Sequence, residues 1–136
     1  MMRCMIVMPY DESHAVVATF NNGVFLYNYV TGEVNKDFIE PSLLKLLIGS
    51  RIYSGTALPS GEFAIGTIQD GIYIIDHNGH LTKRWDKRNS NLMDNGILSL
   101  YCDTNESSEL WISTVGFVAK AYINLPFTEF SPKSGI

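Results

Sequence analysis

The sequence is poor in cysteine and in basic residues. Its 136 residues include two cysteines, Cys4 and Cys102, which stand too far apart to form a CxxC unit. Two cysteines supply neither a disulfide framework nor a complete zinc site, so we expect two buried thiols and no metal or other cofactor. Ten Lys and Arg against 14 Asp and Glu give a net charge of −4. The basic surface typical of nucleic-acid and anionic-membrane binders is missing, so neither partner is expected.

Long apolar runs are also missing. The apolar N-terminal stretch, Met5–Met8, is too short for the core of a signal peptide and is followed by no cleavage pattern. The longest run elsewhere, Leu43–Ile48, contains Lys45 and is far below the roughly 20 residues of a membrane span. These residues predict no export signal and no anchor, and by themselves they leave the compartment open.

Strand-forming and turn-forming residues are abundant instead. Hydrophobic residues make up 46% of the chain, and it contains 7 Tyr, 7 Phe and 11 Gly. Tyrosine and phenylalanine favour strands, while glycine favours tight turns. The composition therefore predicts a globular, β-rich domain.

Three segments of the chain are similar to one another. They are His14–Phe38, Gly61–Trp85 and Glu109–Phe130. Each contains β-rich runs separated by short turns and preceded by one further apolar run. We expect the last strand of each unit to end on an aromatic residue, namely Phe38, Trp85 and Phe130.

The spacing of the repeated residues is nearly constant. Thr67 follows Thr19 by 48 residues, Thr114 follows Thr67 by 47, and Gly71 follows Gly23 by 48. About four strands per repeat of this length is typical of propeller blades. The sequence thus predicts an all-β partial β-propeller, one domain over residues 1–136. Its three blades cover about 1–38, 50–85 and 96–130, and one short inserted helix covers about 41–48, with Pro41 at its start and Gly49 as its stop.

The repeats resemble a known family. Leu92, Asp103 and Leu110–Thr114, which includes Trp111, stand where the two-component regulator propeller repeat has its GL leucine, its Asp and its LWigT motif. Phe63–Thr67 with Asp70–Ile72 is similar to the second half of the same motif. The resemblance extends to Val16–Thr19 and Asn22–Val24, so it covers essentially the whole chain. It marks Thr19, Gly23, Thr67, Gly71, Trp111 and Thr114 as structural repeat positions.

The resemblance implies a function in signalling. Members of this family are ligand sensors, frequently for oligosaccharides, whose propellers lie outside the cytoplasm ahead of a histidine kinase or a transcription output domain. By this resemblance the chain is a periplasmic, non-catalytic sensor segment that binds a small ligand such as an oligosaccharide and relays the signal downstream. The sequence contains no kinase histidine box and no basic helix.

Three blades are too few to close a ring. We expect the chain to be a fragment whose partners are the remaining blades. Alternatively, two copies of the chain pair and bury their ends, which would make it a self-assembling structural module. The exposed ends of an open array are aggregation liabilities.

A propeller enzyme is the less favoured alternative. The expected inner strands, Met5–Met8, Ile52–Leu58 and Ile97–Cys102, contain no Asp, Glu or His. Acid–base chemistry needs a titratable pair. We therefore expect no catalytic residues in this chain, although missing blades would be able to supply them.

Three tyrosines are the candidate ligand contacts. Tyr10, Tyr53 and Tyr101 lie on or beside the expected inner strands. Aromatic rings offer a flat apolar face to a sugar, while ordinary packing in a sheet explains the same residues. His77 and His80 flank an Asn-Gly turn, and turn polarity explains them better than a metal site does, because zinc needs three or four protein ligands.

Overall fold

The chain is built from three separate antiparallel sheets and one helix. The computed structural model describes residues 5–20, 22–86, 88, 96–102, 109–114, 118–122 and 130–133. The first sheet consists of β1 (Met5–Pro9), β2 (His14–Thr19), β3 (Gly23–Asn28) and β4 (Val34–Asn35). The second consists of β5 (Ile52–Ala57), β6 (Phe63–Thr67), β7 (Ile72–Ile75) and β8 (Leu81–Trp85). The third consists of β9 (Ile97–Cys102), β10 (Glu109–Thr114), β11 (Val118–Tyr122) and β12 (Phe130–Lys133).

Each sheet follows the chain from strand to adjacent strand. Every neighbouring pair is antiparallel, so a sheet needs only short connections. The helix α1 (Pro41–Ser50) lies between the first and second sheets in the sequence. The prediction of an all-β chain with one inserted helix is confirmed.

The repeated threonines close the turn between the second and third strands of their sheets. The Thr19 hydroxyl donates to the carbonyl of Gly23 (3.1 Å) and accepts from the backbone N–H of Asn22 (2.9 Å). The Thr67 hydroxyl likewise donates to Gly71 (2.8 Å) and accepts from the N–H of Asp70 (3.0 Å). Because a buried hydroxyl needs partners, the threonine and the turn stabilise each other in both sheets.

The second sheet lies between the other two. Its first strand, β5, packs between β1 and β9. One apolar cluster joins the first and second sheets with α1, and a second cluster joins the second and third sheets. As a result every residue of β6 and β7 is buried. Cys102 is buried in the second cluster, and Cys4 lies outside the described residues.

The helix ends two residues later than predicted. Gly49 is inside α1, and Arg51 supplies the left-handed residue that terminates it, with φ 68°. The reason lies in Ser50, which is buried and whose hydroxyl donates to Asp70 (2.6 Å). This contact requires the helical turn to continue past Gly49. Among the described residues, no helix is long and apolar enough to cross a membrane.

The last strands do not end as predicted in every sheet. Trp85 does end β8, but Phe130 begins β12. β4 has two residues only, and Phe38 lies beyond it. The chain leaves the first sheet after Asn35 because Phe38 and Ile39 pack into the cluster shared with the second sheet.

Candidate functional site

Aromatic and polar side chains meet where the first two sheets come together at one end of their strands. Tyr10 directly follows β1, and its hydroxyl donates to the carbonyl of His77 (2.8 Å) in the turn between β7 and β8. Its ring stacks on the His77 imidazole with a centroid distance of 3.9 Å and an interplanar angle of 13°. Tyr10 and His77 thus join two sheets through residues that are far apart in the sequence. We call this group, with the turns that carry it, the loop-end cluster.

The floor of the loop-end cluster is apolar. The Tyr10 ring meets Phe38 edge-on (5.7 Å between centroids) and Phe63 in a parallel arrangement (6.2 Å). Phe63 is buried, Phe38 and Tyr10 are half-buried, and His77 is exposed. Aromatic pairs of this geometry add to the energy of burial, so the cluster fixes the ring of Tyr10 in one position.

Two carboxylates border the cluster, and both are held by turns. Asp11 Oδ1 accepts from the backbone N–H groups of Ser13 (2.9 Å) and His14 (2.8 Å) and contacts His14 Nδ1 (2.9 Å). The bond from the Ser13 N–H, followed by that from the His14 side chain, lowers the pKa of Asp11 to about 2. Hydrogen bonds to a charged carboxylate favour its ionised form.

Asp76 has the same role in the second sheet. Its Oδ1 accepts from the N–H groups of Asn78 and His80, both at 2.9 Å. The bond from His80 is the main reason that the pKa of Asp76 is lowered. Each of the first two sheets therefore places one ionised carboxylate beside Tyr10.

These charges act on the tyrosine. Burial first, then the negative charges of Asp11 and Asp76, raise the pKa of Tyr10. Tyr10 therefore stays a neutral phenol and a hydrogen-bond donor.

The chemistry of the cluster suits binding. It offers a stacked aromatic pair, the exposed imidazole of His77 and two ionised carboxylates. A general acid needs a pKa near the working pH, whereas the pKa values of Asp11 and Asp76 are shifted downwards. A polar ligand with one flat apolar face would match this arrangement.

The three predicted tyrosines do not form one site. Tyr53 is the second residue of β5, and Tyr101 is the second-last residue of β9. The Ser54 hydroxyl donates to the carbonyl of Ile97 (3.2 Å), so β5 and β9 start at the same end. Tyr53 therefore lies at the start of these strands, and Tyr10 and Tyr101 at their far end. Tyr53 is 41% exposed and Tyr101 is 62% exposed.

A shallow groove lies on the side of the first sheet that is turned away from the second sheet. It has a volume of about 570 Å³ and is lined by Val7, Pro9, Asp11, His14, Ala15, Val17, Tyr27 and Tyr29. Val7 is 61% exposed there. We call this side, formed by Val7, Pro9, Ala15, Val17, Phe25 and Tyr27, the open face. Its residues alternate along the strands with those that pack on the second sheet.

A polar network lies at the other end of the second sheet. The Ser50 hydroxyl donates to Asp70 (2.6 Å) and is 2.9 Å from the hydroxyl of the fully buried Tyr73. The Arg84 guanidinium lies 3.6 Å from the Asp70 carboxylate. It also stacks on the Tyr73 ring, with 5.0 Å between its central carbon and the ring centre. Sequence reasoning missed this network because Ser50 and Arg84 come from α1 and β8, which no local pattern brings together.

The remaining repeat positions lie in the third sheet. Trp111 pairs across strands with Tyr101 and Lys120, and the Lys120 ammonium is 5.3 Å from the centre of the indole ring. Thr114 is buried at the end of β10. Leu92 and Asp103 lie outside the described residues. Within the described ranges no group of three or more His, Cys, Asp and Glu side chains is placed to hold a metal ion.

Sequence reasoning also passed over His77 as a binding residue. His77 stands 48 residues after Tyr29, and this is the spacing that relates the repeats. The repeat thus places an aromatic ring at this turn in the first sheet (Tyr29) and in the second sheet (His77). This repeated ring was the sequence signal that pointed to His77.

The architecture resembles that of a solved structure. No protein-family model and no curated protein sequence matches the chain. Among solved structures, the chain is similar to one assigned to the extracellular domain of the hybrid two component system BT3049 from B. thetaiotaomicron, with a TM-score of 0.65 and 20% sequence identity. The similarity covers 91% of this chain and 17% of that chain. At this identity it establishes a shared fold.

Proposed function

We propose that the chain is a segment of a β-propeller sensor domain that lies outside the cytoplasm, binds a small ligand such as an oligosaccharide and passes the signal to a kinase or a transcription output. The observation that carries this proposal is the shared fold with an extracellular domain of a two-component system over 91% of the chain. The successive packing of β1, β5 and β9 supports the propeller arrangement, in which first strands line a common axis.

The loop-end cluster is the proposed ligand contact. It combines the stacked rings of Tyr10 and His77 with hydrogen-bonding groups at the sheet ends. Sugars present both flat apolar faces and hydroxyl groups, so the two kinds of group are complementary to one ligand. The pKa values of both neighbouring carboxylates are lowered, which suits neither of them to the role of general acid, and the proposed activity is binding.

A titration with a panel of neutral and acidic oligosaccharides tests this function. With 15N-labelled chain, we expect a binding sugar to shift the amide signals of Tyr10 and of the His77–His80 turn, and to leave that of Tyr53 unchanged. His77→Ala should abolish binding, since it removes the stacked ring. Val30→Ala is the control, because Val30 is 71% exposed and lies in a turn outside the loop-end cluster, and it should change affinity less than twofold. Binding by no sugar in the panel, or shifts centred on Tyr53, would reject the proposal.

The open face supports a second function, self-assembly. Phe63, Ile65, Tyr73 and Ile75 of the second sheet pack against the first sheet. The equivalent residues of the first sheet, each 48 positions earlier in the sequence, are Ala15, Val17, Phe25 and Tyr27. These are residues of the open face. The open face is thus the equivalent of a surface that another sheet covers.

Solution mass tests the second function. If two copies pair through the open face, light scattering should give twice 15.2 kDa, and Val7→Lys should return the chain to the monomer mass. Val30→Lys is the control, because Val30 is 71% exposed and lies in a turn outside the groove. A monomer at all concentrations contradicts pairing and leaves the sensor proposal untouched.

A further inference from the structure

The contacts of His77 decide which of its ring nitrogens carries a proton. Nδ1 lies 3.3 Å from the carbonyl oxygen of Gly61, in the turn between β5 and β6. That turn is closed by the Gly61 N–H, which donates to the carbonyl of Leu58 (3.1 Å). A carbonyl oxygen only accepts, so this contact places the proton of the neutral imidazole on Nδ1 and makes Nε2 an acceptor. His77 is exposed, and Nε2 has no hydrogen bond to any described residue.

The hydroxyl of Tyr10 presents an acceptor as well. It has one proton, and it donates this proton to the carbonyl of His77 (2.8 Å). What the hydroxyl oxygen can offer to a ligand is therefore a lone pair. The two stacked rings of the loop-end cluster thus each carry an acceptor atom.

The two carboxylates beside the rings each keep one oxygen for a ligand. In both Asp11 and Asp76 the N–H groups of the turn bind Oδ1. Oδ2 of Asp11 has no hydrogen bond to a described residue, and Oδ2 of Asp76 lies 3.7 Å from the His80 imidazole, which is beyond hydrogen-bond distance. The Asp11 side chain is 46% exposed and that of Asp76 is 32% exposed. These oxygens are two further acceptors, and both carry negative charge.

The described lysine and arginine side chains do not offset this charge, because they are placed elsewhere. Arg84 and Arg88, for example, lie beside Asp86 at the other end of the second sheet. The full set is Lys36, Lys45, Arg51, Lys83, Arg84, Arg88 and Lys120.

We propose that the loop-end cluster selects ligands that donate hydrogen bonds, that it prefers a sugar with an ammonium group, and that it rejects uronate sugars. The inference rests on the proposed function, because it assigns a ligand class to the same contact. An ammonium group donates three hydrogen bonds and carries the complementary charge. A uronate only accepts and is repelled by like charge. The stacked rings select a flat apolar face, and the acceptors around them select the polar groups at its edge.

Three β-1,4-linked glucose tetramers that differ at carbon 6 alone are the probes. One has the natural hydroxymethyl group, one has a protonated aminomethyl group at pH 7.5, and one has a carboxylate. Each is titrated into 15N-labelled chain, and the amide signals of Tyr10 and of the His77–His80 turn are followed. The amino tetramer should bind about tenfold more tightly than the neutral one, since charge-assisted hydrogen bonds are the stronger kind. The carboxylate tetramer should bind about tenfold more weakly than the neutral one.

Asparagine at the two carboxylates changes an acceptor into a donor and keeps the turn. In Asp11→Asn and Asp76→Asn the amide oxygen still accepts from the turn N–H groups, while the NH₂ group replaces Oδ2. Each variant should reduce the preference for the amino over the carboxylate tetramer about tenfold. Asp70→Asn removes the same charge at the other end of the second sheet. Asp70 precedes Asp76 by six residues, roughly 20 Å along a strand, so salt screens it and the preference should not change.

The outcomes separate this inference from the function on which it rests. Retained signal dispersion shows that each variant folds. If the neutral tetramer binds at Tyr10 and His77 and the other two bind as tightly as it does, the ligand class is wrong and the sensor proposal stands. The ligand class is also wrong if Asp70→Asn lowers the preference as much as Asp11→Asn and Asp76→Asn. If none of the three tetramers shifts these signals, both proposals are overturned.

Discussion

The first and second sheets are built on one pattern and differ in what covers them. Both have four antiparallel strands and a threonine that closes the same turn. The second sheet has a neighbour on each face, and its Tyr73 and Ile75 are fully buried. The equivalent Phe25 and Tyr27 in the first sheet are only half-buried. Equivalent residues in the two sheets therefore contribute different amounts to the free energy of unfolding. The amount depends on whether another sheet covers the residue.

Truncation of one equivalent residue in each sheet should give the largest difference in the free energy of unfolding. Ile65 is fully buried between the first two sheets, and its equivalent, Val17, lies on the open face. Ile65→Ala should reduce the free energy of unfolding by about 3 kcal/mol, since it leaves a cavity. Val17 itself is only 6% exposed, but its neighbours on the open face, Phe25 and Tyr27, are half-buried and can move into the space that a truncation leaves. Val17→Ala should therefore cost about 1 kcal/mol. Urea unfolding measures both values.

The size of the removed group explains only part of this difference. Ile65→Ala removes one carbon more than Val17→Ala, and this accounts for about 0.8 kcal/mol. If the two losses agree after that correction, the open face is covered in solution. The comparison between the sheets then fails, and pairing of copies becomes the better explanation.

Two glycines give a second comparison between the first and second sheets, in the turns before their last strands. Gly32 and Gly79 occupy the turns before β4 and β8, with φ of 84° and 85°. A Cβ atom at Gly32 meets nothing within 4 Å, whereas at Gly79 it would lie 2.1 Å from the carbonyl oxygen of Phe38. At the glycine itself, therefore, only the second turn is packed against another part of the chain.

Alanine substitution at these two positions separates the cost of backbone strain from the cost of a steric clash with a neighbouring segment. Both substitutions place a side chain in a left-handed conformation, which costs roughly 1–2 kcal/mol. Gly79→Ala should cost about 2 kcal/mol more than Gly32→Ala, because overpacking against the backbone adds to the strain. Thermal unfolding of both variants measures the difference. Equal losses would mean that the second sheet moves away from Phe38 at little cost.

Two tyrosine hydroxyls give a smaller difference. The Tyr10 hydroxyl donates to the carbonyl of His77 in the second sheet (2.8 Å). The Tyr29 hydroxyl donates to the carbonyl of Glu12, within the first sheet's own loops. Tyr10→Phe should cost about 1 kcal/mol, and Tyr29→Phe a few tenths, because the exposed Tyr29 exchanges its partner for water. Chemical denaturation decides this, and a larger loss at Tyr29 would contradict the bridging role of Tyr10.

The local features of this fold could be predicted from the sequence. The Thr19 and Thr67 turns depend on residues four apart, and β2, β3, β6 and β7 follow from alternating or continuous apolar runs. The loop-end cluster could be predicted only in part. Tyr10 was recognised from its place beside β1, but its contact with His77 links positions 67 residues apart, and only the packing of two sheets creates it.

The missed features share a physical cause. β4 ends at Asn35 because Phe38 and Ile39 are buried against the second sheet. The sequence Val34–Phe38 alone is compatible with a longer strand. In the same way α1 extends past Gly49 because Ser50 contacts Asp70. Tertiary contacts overruled local preference in both cases.

The smallest expected effect concerns the carboxylates of the two sheets. The pKa of Asp11 is lowered from 3.8 to about 2, first by the N–H of Ser13, and that of Asp76 is also lowered, first by the N–H of His80. A carboxylate whose pKa is lower in the folded chain stabilises the fold above its unfolded pKa. This stabilisation is lost as the pH falls through the folded value.

Unfolding curves at several pH values test whether the two turns are equivalent. Between pH 4 and pH 2 the wild type should lose stability steadily, and Asp11→Asn should show a flatter dependence, because the titrating group is gone. Asp76→Asn should also flatten the curve as the pH falls below the ordinary aspartate range, because the pKa of Asp76 is lowered in the folded chain. Below pH 2 the Asp11 carboxylate is protonated in the folded chain too, so Asp11→Asn and wild type should converge there. If Asp76→Asn alone flattens the curve, only the covered sheet uses its turn carboxylate for stability, and the difference between the two sheets extends to their loops.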